Sequence, residues 1–371
     1  MSTTHPPVRV GVIGAGWGAG LHLEGYRRTD GVVLAAITSR TPSTAEQLAH
    51  DYGVERVVDN VEELIELVDV VSVATPPDAH LAPTLAAIAA DKHVLCDKPL
   101  ALDAAEAATI LAAADAADIR HATGFIWRLD PSLTCLREEL RRGTIGTVRE
   151  VHSTCALGVP VMPHNWMYER SHGGGALMQH GSHVIDRVRW LLDCEIAKVS
   201  GRLHHDVKDV ERGPEFHNVR EAFTWSIRPG AEAAPAGPRV PVDADSGYEF
   251  VGETADGVRV RFWEAWHLLG RHDDRVVVYG DRGTLEWTGG AGVRLLRSRH
   301  EPESLYEGSA ASGANTPQET GWRLWGQLAD TFLASIRGEP SHAPTLEDGW
   351  QVMRVIDAVR RSDTSGCWET V

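Results

Sequence analysis

The sequence predicts an N-terminal α/β domain with a doubly wound parallel sheet, followed by an α+β domain with a large, mostly antiparallel sheet. Three observations lead to this fold class. A glycine-rich junction between a strand and a helix lies within Val8–Leu23, and apolar strands then alternate with helices as far as residue 125. From Arg149 onwards, strand-like runs follow one another with few helices between them. We therefore place the two domains at residues 1–125 and 126–371.

The composition is that of a large, acidic globular protein. The 371 residues include 36 lysines and arginines against 52 aspartates and glutamates, which gives a formal charge of −16. This excess of negative charge argues against nucleic acid or an anionic membrane as a partner. The five cysteines are scattered, and we find neither a signal-peptide pattern nor an apolar run of membrane length. We therefore expect a cytoplasmic protein whose thiols are reduced and mostly buried.

The glycine-rich junction has the features of a phosphate-binding turn. Val8–Ile13 is a short β-branched run, and Trp17 begins a helix directly after Gly14 and Gly16. Gly14 permits a tight turn, Gly16 lets a ligand approach the backbone, and Ala19 lets the helix pack closely on the strand. Free N–H groups and the positive end of the helix dipole then lie side by side, as a pyrophosphate requires. The alternative is a plain glycine turn.

The rest of the first domain alternates regularly between strands and helices, and this alternation predicts a parallel sheet. The predicted strands are Val32–Thr38, Val57–Val58, Val70–Ala74, His93–Cys96 and His121–Phe125, and the predicted helices are Trp17–Tyr26, Ser43–Tyr52, Val61–Val68, Asp78–Ala90 and Asp103–Ala117.

The second domain has a different pattern, in which successive strands predict a largely antiparallel sheet with one face covered by helices. The predicted strands are Arg149–Cys155, Ile196–Arg202, Ala222–Ile227, Tyr248–Thr254, Val258–Trp266, Arg275–Tyr279 and Gly283–Trp287. The predicted helices are Ala176–Leu192, Trp322–Arg337 and Leu346–Ser362. Pro229–Pro241 is expected to be a flexible loop inserted between two of the strands.

Several short motifs follow one another along the chain. They are Gly14-x-Gly16-x-x-Ala19-x-x-His22, Thr75-Pro76-Pro77-Asp78-Ala79-His80, Asp97-Lys98-Pro99, Gly124-Phe125 with Arg128 and Pro131, Gly173-Gly174-Gly175-Ala176-Leu177 followed by Gly181, His183, Ile185 and Asp186, and Val278-Tyr279-Gly280 with Gly283-Thr284-Leu285. In this order, the combination resembles the glucose–fructose oxidoreductase/inositol dehydrogenase/MocA (Gfo/Idh/MocA) family almost from end to end.

The resemblance implies a Rossmann domain followed by an open-faced sheet domain. It also implies nicotinamide-dependent oxidation or reduction of a sugar, cyclitol or related polyol, and a homodimer or homotetramer formed through the exposed sheet face. The cofactor would lie on the glycine turn and on the segments that follow the second, fourth and fifth strands. The residues expected to bind it are Gly14, Gly16, Trp17, Ser39, Arg40, Thr41, Thr75, Pro76, His80, Asp97 and Lys98.

Lys98 is the first candidate catalytic residue. It follows a buried parallel strand, at the edge where such sheets bind ligands, and Pro99 favours an extended backbone before it. An ammonium group there can hydrogen-bond the reacting oxygen and stabilise its alkoxide character. The alternative is a solvated loop lysine.

Gln179, His183 and Asp186 are spaced at i, i+4 and i+7, so they share one face of the predicted helix. The imidazole of His183 suits a general base that takes the proton of a hydroxyl, although a structural histidine is the alternative. The family pattern is Asp-x-x-x-His, and Gln179 stands where the aspartate is expected. A glutamine can hold a hydroxyl but cannot carry a proton. Asp186 either orients His183 or makes a structural contact.

Two further sets of residues bear on ligands. His180, His183 and Asp186 are spaced at i, i+3 and i+6, but no further ligand set accompanies them, so we predict no metal. Beyond Lys98, Gln179 and His183, additional substrate contacts are expected from Trp127, Arg128, Asn165 and Trp166. Tryptophan rings can stack on a sugar, although most of the tryptophans are expected to fill the core or an interface.

The second strand predicts the choice of cofactor. Val32–Thr38 ends in Ser39, Arg40 and Thr41, without the carboxylate that usually binds the ribose hydroxyl of NAD. Arg40 can pair with a 2′-phosphate, and the two hydroxyls can donate to it, so NADP(H) is predicted. Alternatively, Arg40 only stacks on adenine, and NAD(H) binds as well.

Three functions are compatible with these residues. The first is an NAD(P)-dependent dehydrogenase or ketoreductase for a sugar, aminosugar, glycoside or cyclitol. The second is a glycosidase of the same fold that uses a tightly held NAD to oxidise, eliminate and re-reduce. The third is a dinucleotide-binding sensor without turnover, against which Lys98 and His183 argue.

Overall fold

The N-terminal domain is built on a six-stranded parallel sheet. The computed structural model describes residues 6–216, 218–228, 237–268, 270, 272–308 and 317–371. The strands of the first sheet are β1 (Val8–Ile13), β2 (Val32–Thr38), β3 (Arg56–Val57), β4 (Val70–Val73), β5 (His93–Cys96) and β6 (His121–Thr123). They lie in the order β3-β2-β1-β4-β5-β6, and all neighbours are parallel. The strand order reverses between β1 and β4, which is where such sheets open a ligand crevice.

Helices flank this sheet, as predicted. They are α1 (Trp17–Arg27), α2 (Pro42–Tyr52), α3 (Val61–Glu66), α4 (Leu81–Ala89) and α5 (Ala104–Asp115). The central strands are buried on both faces, with Val10, Val12 and Val71 fully inaccessible, because helices pack on either side. The predicted helix Asp78–Ala90 is divided into a 3₁₀ turn at Pro77–Ala79 and α4.

The second domain is built on a nine-stranded sheet, with a separate two-stranded ribbon beside it. The strands in chain order are β7 (Val148–Leu157), β8 (Ile196–His204), β9 (Asp209–Glu211), β10 (Arg239–Pro241), β11 (Gly247–Thr254), β12 (Arg259–Trp266), β13 (Asp273–Gly280), β14 (Thr284–Thr288), β15 (Gly292–Leu296), β16 (Glu303–Glu307) and β17 (Glu369–Thr370). The large sheet has the order β16-β15-β14-β13-β7-β12-β11-β8-β17, and β9 pairs with β10. Only β7 and β12 are parallel neighbours among these described strands, so the predicted mostly antiparallel sheet is confirmed.

The remaining helices are α6 (Pro131–Arg141), α7 (Ala176–Gln179), α8 (Gly181–Leu192), α9 (Val219–Ser226), α10 (Pro317–Ile336) and α11 (Leu346–Ser365). The predicted helix Ala176–Leu192 is thus interrupted at His180. Gly181 opens α8 where it crosses β11, since a Cβ at this position would lie 2.9 Å from the Tyr248 ring. This close approach brings α7 and α8 onto the inner face of the sheet.

The predicted strand Ala222–Ile227 is wrong, because this segment forms α9. Asn218 caps the helix by accepting a hydrogen bond from the backbone N–H of Glu221. Val219 and Ala222, one turn apart, are the buried residues of α9. The capping residue and the three-residue spacing of the buried side chains favour a helix over a strand.

The predicted flexible loop Pro229–Pro241 lies partly outside the described residues, which resume at residue 237. Its end is not a loop, because Arg239–Pro241 is β10 and pairs with β9 in an antiparallel register. Helix α9 therefore precedes this segment in the chain, and the segment ends in the short strand β10.

The chain returns to the first domain near its end. Helix α10 packs against α1, where a Cβ at Gly25 would lie 3.0 Å from the Trp325 backbone. The ring of Trp325 also stacks against His22 of α1, with ring centroids 3.9 Å apart. The division after residue 125 thus separates the two sheets, whereas the helix at 317–336 belongs by packing to the first.

All five cysteines are free thiols; Cys96 and Cys155 are buried, while Cys367 is exposed. The expectation of mostly buried thiols therefore holds for two of the five. Among the described helices, none is both long and apolar enough to span a lipid bilayer.

Candidate active site

The turns after β1, β4 and β5 converge at one edge of the first sheet. Gly14 has φ of +113°, and a Cβ there would lie 2.7 Å from the carbonyl oxygen of Ala74. A Cβ at Gly18 would likewise lie 3.0 Å from Oδ2 of Asp97. Both the left-handed backbone and the close packing require glycine at position 14. The glycine turn therefore lies directly against the segments that follow β4 and β5.

The same turn leaves a cradle that fits a dinucleotide. A Cβ built on Gly16 would meet no atom within 4 Å, so open space lies in front of this backbone. Helix α1 begins at the next residue without a side-chain cap and without an acidic residue in its first turn. Its first N–H groups and the positive end of its dipole are thus free to bind a pyrophosphate.

The segment after β2 leads into α2 with polar groups and no carboxylate. The backbone N–H of Thr41 donates to Oγ of Ser39 at 3.2 Å. The Arg40 side chain is exposed and makes no hydrogen bond or ion pair within the described part of the chain. An exposed arginine beside a helix N-terminus can bind an anionic group.

His80 lies behind the cradle rather than on its surface. Its ring is fully buried, with Nε2 2.8 Å from the Thr75 carbonyl oxygen and Nδ1 3.0 Å from that of Pro99. Because both ring nitrogens face acceptors, the ring is held as an imidazolium. Burial lowers the pKa of His80, but Cys96 and Asp97 raise it to about 9. The ring therefore ties the turn after β4 to the Lys98-Pro99 segment.

Asp97 and Lys98 enter the crevice from the end of β5. Oδ1 of Asp97 accepts the backbone N–H of Lys98 at 2.7 Å, and Oδ2 lies 3.5 Å from Nε2 of His22. The Lys98 ammonium donates to the backbone carbonyl of Gln179 at 3.1 Å, which joins the two domains. Burial lowers the pKa of Lys98, while Asp97 and Glu264 act in the opposite direction.

His183 faces the same region from α8. Its ring makes edge contacts with Phe125 and Trp127, with ring centroids 6.0 and 6.3 Å apart. Burial and the nearby Lys98 ammonium hold the pKa of His183 well below 6.5, so the ring is neutral at pH 7. Its buried Nδ1 has no hydrogen-bond partner among the residues that the structure describes. A buried, neutral and unpaired imidazole is equipped to accept a proton from a ligand.

Gln179 is close to Lys98, but its amide is turned away. Its Nε2 donates to the Gly173 carbonyl at 2.6 Å, and only 9% of the residue is exposed. Gly173 lies against the turn after β4, where a Cβ would be 2.7 Å from Pro77. The Gln179 side chain thus braces the glycine loop of the second domain, while its carbonyl holds the lysine.

Most of the other residues predicted to bind substrate or to act in catalysis do not contact His183. Arg128 and Asp186 bind each other and lie within the packed interior rather than against His183. Asn165 uses both ends of its amide on the backbone, accepting from Met167 N and donating to Pro163 O. Trp166 packs in a small cluster around Met162, apart from Lys98. Of the four added substrate residues, only Trp127 contacts His183.

The sequence interpretation missed one charged residue, Glu264, which lies within reach of this site. Val260, Phe262, Glu264 and Trp266 alternate along β12 and are all buried. A glutamate on the apolar side of an alternating strand is a signal that the sequence did contain. Its partners, however, come from other elements and are visible only in the fold.

A cluster of potential metal ligands adjoins this glutamate. Cys155, His180 and Asp274 each offer one ligand atom, and these three atoms lie within 4.8 Å of one another. Arg187, however, donates to both oxygens of Asp274, at 2.8 and 2.9 Å. Burial also raises the pKa of the Cys155 thiol strongly, which disfavours the thiolate that a metal needs. This cluster gives a metal no support, and the absence of a metal stays a prediction.

Two family models match the chain. The model described as "Oxidoreductase family, NAD-binding Rossmann fold" matches residues 8–125, and the "GFO/IDH/MocA C-terminal domain" model matches residues 134–286. Together they span well over half of the chain.

Individual proteins are similar over nearly the whole length. Inositol 2-dehydrogenase of Rhizobium meliloti is 30% identical over 362 residues, which cover 96% of each chain. The match to an uncharacterized oxidoreductase of Synechocystis is shorter and spans 52% of that protein.

Solved structures share the fold. An oxidoreductase domain protein from Kribbella flavida has a TM-score of 0.83 at 27% identity, covering 99% of this chain and 100% of that one. Levoglucosan dehydrogenase in complex with NADH and L-sorbose also has a TM-score of 0.83, at 23% identity and 98% coverage of both chains.

Proposed function

The chain belongs to the Gfo/Idh/MocA family of NAD-binding oxidoreductases, and we propose that it oxidises or reduces a hydroxyl or keto carbon of a sugar, aminosugar, glycoside or cyclitol. The observation that carries this proposal is that the Lys98 ammonium binds the carbonyl of Gln179, one helical turn before His183, and is close enough to lower the pKa of that ring. The names of two relatives, inositol 2-dehydrogenase and levoglucosan dehydrogenase, support a polyol or sugar as the substrate class.

The two side chains have complementary tasks. When bound, the nicotinamide supplies the hydride acceptor or donor of the reaction. The Lys98 ammonium, fixed by the Gln179 carbonyl, donates to the reacting oxygen and stabilises its negative charge. His183, neutral at pH 7, takes the hydroxyl proton in oxidation and returns it in reduction. Phe125 and Trp127 limit access of water to the ring.

We also propose NADP(H) as the preferred cofactor. The unpaired Arg40 and the hydroxyls of Ser39 and Thr41 offer donors to a 2′-phosphate at the start of α2. The described end of β2 presents no carboxylate that would accept a bond from the ribose 2′-hydroxyl of NAD.

The outer face of the second sheet supports a homodimer or homotetramer. A groove on this face is lined by residues that include His152, Thr154, Arg261 and Trp263. Trp263 is 37% exposed on this open sheet, and aromatic residues are enriched at protein–protein interfaces. Measurement of molar mass in solution tests this proposal, and a monomer at micromolar concentration contradicts it.

One experiment tests the activity. Nicotinamide absorbance is followed with a panel of sugars, aminosugars, glycosides, cyclitols and their keto forms, with both cofactors and in both directions. The expected result is turnover of at least one compound that is lost in a Lys98→Ala variant. If no compound changes the absorbance, the proposal fails, and redox-neutral cleavage of aryl glycosides would instead identify a glycosidase. Nucleotide binding without any turnover would indicate the sensor.

A further inference from the structure

Glu264 is a buried carboxylate held by three donors. It is fully inaccessible on β12. Tyr248 Oη donates to Oε2 at 2.9 Å, and Trp266 Nε1 donates to Oε1 at 2.6 Å. Nδ1 of His180 lies 3.0 Å from Oε2. Both oxygens of the Glu264 side chain thus have hydrogen-bond partners, as a buried polar group requires.

Glu264 is linked to Lys98 through two neighbouring residues of the second domain. His180, its partner, directly follows Gln179, whose carbonyl accepts the Lys98 ammonium at 3.1 Å. The ring of His180 also lies beside that of His183, with centroids 6.3 Å apart. Glu264 therefore binds the residue that lies between the Lys98 acceptor and His183, and its charge acts on Lys98.

The replacement of the family's aspartate by Gln179 suggests what the charge of Glu264 does. The Asp-x-x-x-His pattern puts an acid at the position of Gln179, where this chain has a neutral amide turned towards the Gly173 carbonyl. Lys98 consequently lacks a counter-charge from α7. Asp97 supplies one on the cofactor side of the crevice, and Glu264 supplies one from the sheet beneath.

We propose that Glu264 is a positioning residue that replaces the carboxylate missing at position 179, acting through His180 and directly on the field at Lys98. This proposal rests on the proposed function only for its catalytic consequence. The electrostatic claim concerns Lys98 itself and can be measured without turnover.

Other ionisable groups face this network from every element around it. Those that face His180 are Glu264 from β12, Asp274 from β13, Cys155 from β7, and Arg187 and His183 from α8. Tyr248 from β11 and Lys98 from the segment after β5 complete the surroundings of Glu264. Because Asp274 is paired with Arg187, Glu264 is the carboxylate of this network that can balance His180, and it acts on Lys98 together with Asp97.

The substitution Glu264→Gln removes the charge and keeps the shape. Without the carboxylate, the pKa of Lys98 falls, since Glu264 opposes the effect of burial on it. The loss of an opposite charge from the surroundings of an ionisable group moves its pKa by about 1 unit. The free amine of Lys98 is then populated at lower pH than in the wild type.

Competitive acylation measures this effect directly. The chain contains only four lysines, Lys92, Lys98, Lys198 and Lys208, so each can be followed by peptide mass spectrometry. In Glu264→Gln, the midpoint of Lys98 labelling should fall by about one pH unit. Lys198, which pairs with Glu253 at 3.0 Å, should keep its midpoint and serves as an internal reference. An unchanged Lys98 midpoint overturns the proposal.

The pH dependence of kcat provides the catalytic test. Activity that needs the Lys98 ammonium is lost above its pKa, so the alkaline limb should move to lower pH in Glu264→Gln. The acid limb, set by His183, should stay in place, since Glu264 is not among the groups that shift its pKa. Glu150→Gln is the matched control, because Glu150 also binds a histidine on this sheet, at 2.7 Å, but is not among the groups that shift the pKa of Lys98.

A double variant tests the replacement itself. Gln179→Asp in the Glu264→Gln background restores a carboxylate at the pattern position, and the Lys98 midpoint should return towards the wild-type value. A midpoint that stays low contradicts the equivalence of the two carboxylates. If Glu264→Gln does not fold, as judged by binding of the nicotinamide cofactor, His180→Asn breaks the link between Glu264 and the Gln179 segment. An unmoved Lys98 midpoint in that variant overturns the claim that Glu264 acts through His180. A wild-type protein without turnover refutes the proposed function alone, because the labelling results still decide this inference.

Discussion

Nε of Arg128 donates to Oδ2 of Asp186 at 2.8 Å, and the same guanidinium donates to Asp348 at 2.7 Å. This contact joins the turn after β6, α8 and α11, which come from three distant parts of the chain. Burial acts to raise the pKa of Asp348, but the guanidinium outweighs it and holds this pKa below its ordinary value. Asp186 therefore pairs with Arg128. Of the two roles considered for Asp186, a structural contact is supported by this geometry, and orientation of His183 is not.

Removing Arg128 should destabilise the fold. Arg128→Ala removes the guanidinium that both carboxylates hydrogen-bond, and Asp186 is only 2% exposed. Arg189 remains, at the longer distances of 3.6 Å from Asp186 and 3.9 Å from Asp348. We expect the free energy of unfolding to fall by about 3–5 kcal/mol, which chemical denaturation can measure. Arg141→Ala, which breaks an exposed pair with Asp193, is the control and should cost about 0–1 kcal/mol. Equal losses in the two variants would contradict a buried structural role.

Lys98 and His183 should affect chemistry far more than cofactor affinity. Lys98→Ala and His183→Ala should each lower kcat by ~10²–10⁴-fold, the usual effect of removing a positioned electrostatic or acid–base group. Both residues lie at the junction of the domains, whereas the pyrophosphate cradle is formed by Gly16 and α1. Fluorescence titration with the nicotinamide cofactor should therefore give nearly unchanged Kd values. Wild-type turnover in either variant would refute the assignment.

His80 should make stability depend on pH. Its pKa is about 9 in the folded chain and 6.5 in an unfolded one, so folding is favoured by proton binding. This contribution is fully present below pH 6.5 and is lost as pH rises through 9, and it amounts to about 3 kcal/mol. The free energy of unfolding should fall over this window in the wild type and much less in His80→Gln. Parallel pH profiles for the two proteins would show that the ring is not held as an imidazolium.

Arg40 should distinguish the two cofactors. Arg40→Ala removes a charged donor that a 2′-phosphate needs, so the Kd for NADP⁺ should rise by about 10–100-fold. The Kd for NAD⁺ should change little, because the ribose hydroxyl carries no charge. Calorimetric titration gives both constants. Tighter binding of NAD⁺ than of NADP⁺ by the wild-type protein would contradict the preference.

The sequence by itself determined the features that depend on neighbouring residues. A strand, Gly14 and a helix in succession predict the nucleotide cradle, because backbone sterics and the helix dipole act within a few residues. The alternation of strands and helices likewise predicted the parallel sheet, whose handed connections leave few other topologies. The ordered motifs resembled the Gfo/Idh/MocA family, and this membership is confirmed.

The tertiary structure decided the features that depend on distant residues. Segment 222–227 has strand-like composition, yet burial of Val219 and Ala222 on one side makes it helical, in agreement with the local cap at Asn218 that the strand prediction overlooked. Asp186 shares a predicted helix face with His183, but Arg128 lies 58 positions away in the chain and takes its carboxylate. The contact of Glu264 with His180 exists only because β12 packs next to that residue in the fold. Charges act through space, so their partners are fixed by packing and not by order along the chain.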